Sequence, residues 1–218
     1  AAPLVNMRTI AHPVVLRTNL VGIAYSVCIF GGLIAITLIA QQREGDGFGL
    51  GATAAGLILV PHGVGVIAGG RLAIRLRAFG QRRTLLIGQA VMLVGIGLLV
   101  PLYDVRAVLY VVAGVTGVGL GLALAATTNL VVAAVPPGEV ATATAITTIV
   151  RNIGGAVGAQ VLIALFTLRL IPGTDAFASS GLTIGIGFLA VAGVAGLALA
   201  WVVPRDGARP GPVSQPTR

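Results

Sequence analysis

Arg151 is the one charged residue inside an apolar stretch long enough to cross a bilayer as a helix. A charge at mid-span costs at least about 2.5–3.5 kcal/mol, so such a group faces a bundle interior or a wet cavity unless it reaches the headgroups. A helix beginning near Ala141 carries Arg151 about 15 Å into the layer, at about 1.5 Å per residue. A start nearer Ile146 would let the side chain snorkel instead. Arg151 and the adjacent Asn152 are therefore candidates to line a path for solute. Asn129, Gln160 and Gln89 are uncharged polar residues in three further apolar positions. Such groups either hydrogen-bond a neighbouring helix or touch a substrate. His62 follows Pro61, whose missing N–H disrupts a helical ladder. Its imidazole would titrate near neutral pH and carry a proton, or be satisfied by a neighbour.

Other chemistry is poorly served. All six carboxylates (Glu44, Asp46, Asp104, Glu139, Asp175 and Asp206) fall outside the apolar stretches, so any intramembrane proton acceptor of that type must come from elsewhere. The single Cys28 allows no disulfide framework and no thiolate metal site. With only His12 and His62, and no Gly-x-Ser-x-Gly, nothing supports a hydrolase, and no cofactor is expected. Gly117-Val-Gly-Leu-Gly121 has dinucleotide-loop spacing, but it sits in a long apolar run with no strand ahead of it.

Six apolar stretches must position these residues, at about 18–41, 52–70, 84–103, 107–135, 141–169 and 181–203. Hydrophobic residues make up 56% of the 218 and charged residues 9%, which excludes a soluble enzyme. The net charge of +8 lacks the folded basic face that nucleic-acid binding requires. Every basic residue is arginine, a bias suggesting a GC-rich bacterial genome. The chain divides into an amphipathic cytoplasmic lead-in (1–17), an all-α bundle of six transmembrane helices (18–203) and a Pro-, Gly- and Arg-rich disordered tail (204–218). It begins Ala-Ala-Pro without a signal peptide and reads as a piece of something longer. Short connections hold the charges. The 71–83 segment alone has Arg71, Arg75, Arg77, Arg82 and Arg83. Placing it and both termini in the cytoplasm puts ten arginines inside against three outside.

The 69–83 segment also resembles the loop signature of the major facilitator superfamily. Gly70, Leu72, Arg75, Gly80, Arg82 and Arg83 occupy its positions, with extra residues before Gly80 and Ile74 in place of its acid. The departure implies loss of the gating role that this acid has in the family. Three more stretches narrow the resemblance to the fourteen-helix drug:proton antiporters: Pro3 to Arg8 with Asn19, Gly117 to Glu139, and Arg151 with Gly154, Gly155 and Gly158. Ala125 and Ala126 stand where prolines are often found.

The resemblance, which covers nearly all of residues 3–203, implies the carboxy-terminal bundle of the family's fold. There, helices one to three and four to six form inverted repeats. It further implies multidrug efflux by alternating access in a bacterial plasma membrane, hydrophobic or cationic substrates, and protons as coupling ion. The missing amino-terminal half of the transporter would be the partner. Gly-x-x-x-Gly faces at 65–69, 117–121, 154–158 and 181–185 leave open a stand-alone subunit or a self-dimerising pore.

Overall fold

The structure is a computed structural model, and it describes residues 13–42, 47–168 and 179–203. Expectations for the start of the lead-in, the 204–218 tail and most of the 170–180 connection lie outside the described residues.

Long apolar segments with few helix breakers fold here as helices throughout. In chain order they are α1 (Pro13–Gln41), α2 (Ala52–Leu57), α3 (Val60–Leu76), α4 (Gln81–Leu102), α5 (Arg106–Ala134), α6 (Val140–Thr167) and α7 (Ser179–Val202). Short 3-10 turns at Arg77–Phe79 and Pro137–Glu139 lead into α4 and α6, and no strand forms among the described residues. Six spans are long and apolar enough to cross a membrane, α2 and α3 together making the second. This is the build of a membrane-embedded helical bundle.

Three boundaries differ from the expectation. The first helix already runs through Arg17 and Pro13, the first of the described residues, so the end of the lead-in is helical. The second span breaks upstream of Pro61 rather than at it. Ile58 and Leu59 donate to Ala55 and Gly56 at 3.2 and 3.0 Å, a tighter turn than α-helix, and Pro61 then sits in the first turn of α3. The arginine segment is mostly helical. Leu72, Ala73, Ile74 and Leu76 carry α3 onward, so Arg71 and Arg75 stand on its last turns and Arg82 and Arg83 on the first turn of α4. Only Arg77–Gly80 turns, and Gly80 reverses the chain at φ +90°, a conformation that strains other residues.

The first span is the most enclosed and the second the least: 61% of the former's apolar window is buried against 22% of the latter's. Helix α1 packs on α6 and α7, α5 packs on α3 and α4, and α1–α5 and α4–α7 contacts join the two groups. One core cluster, built on Ile36, Ile39, Leu99, Leu109 and Phe166, fills one end. A second around Tyr25, Leu85, Met92 and Leu130 continues toward the other. There a small cluster of Val15, Val131, Val135 and Ala143 closes the bundle. Arg17 donates to the Val202 carbonyl at 3.5 Å, and Asn129 to Gln81 at 3.3 Å. The start of α1, the end of α7 and the arginine turn thus share one end of the bundle.

Candidate functional site

Arg151 lies eleven residues into α6, about 16 Å along the helix axis from Val140. The helix therefore starts where the deep placement requires, not near Ile146. Its guanidinium is half-buried and points its Nη1 at the Tyr25 hydroxyl on α1, 3.5 Å away. Tyr25 is itself buried. The charged end of Arg151 thus lies at the α1–α6 seam. Asn152 and Gln160 stand exposed on the outer face of α6, among Ile149, Ile153 and Val157. Beside that face runs an open groove of about 370 Å³, walled by Ile23 and Val27 of α1, Ile153, Val157 and Val161 of α6, and Phe188 of α7. Gly154 and Gly158 also line it, and they let α6 sit close on Ile23 and Val27 of α1.

The other candidates go elsewhere. His62 is half-buried on α3 near the opposite end, with Nδ1 3.2 Å from the Ala113 carbonyl and 3.5 Å from Thr116 Oγ1 on α5. It is satisfied by a neighbouring helix. Asn129 ties the last turns of α5 to the first residue of α4, so it sits at an end of the bundle and not along its interior. Gln160 shares the open face of α6 with Asn152 and lies well away from Arg151 along the helix. In the loop signature, Gly70 and Leu72 belong to α3, Gly80 makes the turn, and Arg75 and Arg83 are exposed. Arg82 lies over the Trp201 ring at 5.0 Å and donates to the Trp201 carbonyl.

Sequence reasoning missed Tyr25, the partner of Arg151, because nothing in spacing links residues 126 positions apart. It also missed a buried polar set with no hydrogen-bond partner: Thr18, Asn19 and Ser26 on α1, Gln89 on α4, and Thr144 and Thr147 on α6. For Gln89 the expectation is a hydrogen bond to a neighbouring helix or a substrate contact. Instead its amide packs in the gap left by Gly196 on α7. The Gly-x-x-x-Gly faces serve this chain internally. Gly65, Gly69, Gly117 and Gly121 mate α3 with α5, Gly154 and Gly158 receive α1 side chains, and Gly185 receives Phe166.

No group of three or more His, Cys, Asp or Glu among the described residues could hold a metal ion. The fold and the site together define a six-span helical membrane protein with one deep arginine beside an apolar groove. No family model matches the chain, and no curated protein is significantly similar to it.

Proposed function

We propose that the chain is the carboxy-terminal bundle of a major-facilitator-type multidrug efflux transporter, working by alternating access and coupled to protons. The observation that carries this reading is Arg151, set eleven residues into α6 against Tyr25, on a helix that also walls an open apolar groove and presents Asn152 and Gln160 on its outer face. Polar groups at that depth are expensive in lipid, and a solute path is the usual reason to keep them. An apolar groove with a few polar groups suits hydrophobic or cationic compounds.

The pairing of helices gives independent support. Exchanging α1 with α5, the second span with α6, and α4 with α7 leaves the set of principal contacts unchanged. Successive units of three spans would enter the membrane from opposite sides, so this symmetry of contacts is what inverted repeats would give. On this reading the thinly covered second and fifth spans meet the amino-terminal half, which supplies the carboxylate for the proton. The arginine-rich end, with the described ends of the chain beside it, is cytoplasmic in a bacterial plasma membrane. The rival self-dimer loses its main support, since the glycine faces are already filled within the chain.

The test is efflux by the intact membrane protein at matched expression. Arg151→Ala should abolish most of it, and Asn152→Ala should shift which compounds are carried. Efflux unchanged by Arg151→Ala would contradict the reading.

A further inference from the structure

The corner between the start of α4 and the end of α7 holds a cavity of about 540 Å³, lined by Phe79, Gly80, Arg82, Arg83, Leu86 and Trp201. Three features there ask for an anion. The first turn of α4 has no capping side chain and no acidic residue, so its free N–H groups and the positive end of its dipole are uncompensated. Two arginines, Arg82 and Arg83, sit on that same turn, where positive charge is least favourable. Among the described residues no carboxylate pairs with either one, and Arg82 Nε is buried without a partner. Trp201 holds Arg82 in place twice, through its ring and through its carbonyl. An isolated positive-inside arginine has no need of such a clamp.

The surroundings say where the anion comes from. Phe79 and Trp201 are exposed beside the cavity, as aromatic side chains are at a headgroup layer. From Arg83 an exposed apolar row runs down α4 through Ile87, Ala90 and Val94. A matching row runs on α7 through Val191, Val194 and Ala198. A charged head set over two apolar rows is the profile of one phospholipid molecule. We propose that this corner is a binding site for the phosphate of an anionic phospholipid, held by Arg82 and Arg83, with acyl chains along α4 and α7. The site concerns the bundle's contact with its membrane and does not rest on the transport reading.

Trp201 is the only tryptophan in the chain and lies in the site, so its emission reports occupancy directly. The chain is reconstituted into bilayers containing either brominated phosphatidylglycerol or brominated phosphatidylcholine at equal mole fraction. The anionic lipid should quench Trp201 with an apparent affinity higher by on the order of fivefold for each arginine on the phosphate. Arg83→Gln should remove about fivefold of that preference. Arg75→Gln, which takes the same charge from α3 outside the cavity, should leave the preference intact, and native-like far-ultraviolet circular dichroism shows that each variant is folded. Inorganic phosphate should not displace the lipid. Equal quenching by both lipids, or equal loss from Arg75→Gln and Arg83→Gln, would overturn the site. Displacement by millimolar inorganic phosphate would overturn the lipid as its occupant.

Discussion

Helices α3 and α6 are both thinly covered, and each packs through a pair of glycines onto a better-enclosed helix, but the two seams are made of different material. On α3, Gly65 and Gly69 meet glycines. A Cβ at Gly65 would lie 2.9 Å from the Val118 nitrogen and 3.1 Å from Gly117 Cα, and one at Gly69 3.0 Å from the Val118 carbonyl carbon. Backbone rests on backbone, and neither side can yield. On α6, Gly154 and Gly158 meet a mixture of side chain and backbone, with Ile23 Cγ2 at 2.9 Å and Cα at 3.1 Å, and Val27 Cγ2 at 2.7 Å and Cα at 2.9 Å, from the corresponding Cβ positions. Only the methyl groups of that contact can give, and little, because Ile and Val in a helix keep one χ1 rotamer. The all-backbone seam bears a satisfied histidine, whereas the mixed seam bears Arg151 and the open groove. The polar chemistry thus goes with the seam that side chains, and not backbone alone, help to make.

The largest expected effect tests that contrast. Gly69→Ala should cost about 3 kcal/mol, the upper range for overpacking without relief, and Gly158→Ala about 2 kcal/mol, since only part of its contact is side chain. Reversible unfolding in detergent measures both, and equal losses would break the comparison. Next, His62→Leu removes a cross-helix hydrogen bond to Ala113 and should destabilise by about 0.6–1.7 kcal/mol. On the mixed seam, Tyr25→Phe should cost less, about 0.6 kcal/mol, because its contact with Arg151 is long. A larger loss there would show that the arginine is a structural strut. The smallest change is expected from Arg75→Gln, within about 0.5 kcal/mol, since that side chain is exposed.

Much of this was legible in the residues, because apolar length alone decides where a helix can cross a bilayer. The later spans begin and end within a few residues of the expected positions, and Gly80 turns the chain where the glycine before two arginines suggested. What could not be read depends on three-dimensional neighbours. The helical extension through Leu76 was hidden because Arg71 and Arg75 look like loop residues until their stems are seen to lie along a helix. Pro61 was expected to interrupt the ladder, but the chain placed the break earlier so that the ring fell in a first turn. Asn129, Gln160 and His62 all read as polar residues in apolar runs. Only packing separates an end tie, an exposed amide and a satisfied imidazole. Tyr25 gave no signal as a partner for Arg151, since a tyrosine in an apolar run is ordinary.

The central claim is that the outer face of α6 meets water while that of α3 does not. The most direct measurement uses single cysteines in a Cys28→Ala background, the native thiol being buried. In native membranes, Asn152→Cys and Gln160→Cys should react with a membrane-impermeant maleimide, and Val64→Cys on the exposed apolar face of α3 should not. Silence at both α6 positions, or labelling of Val64→Cys as fast as Asn152→Cys, would contradict the account.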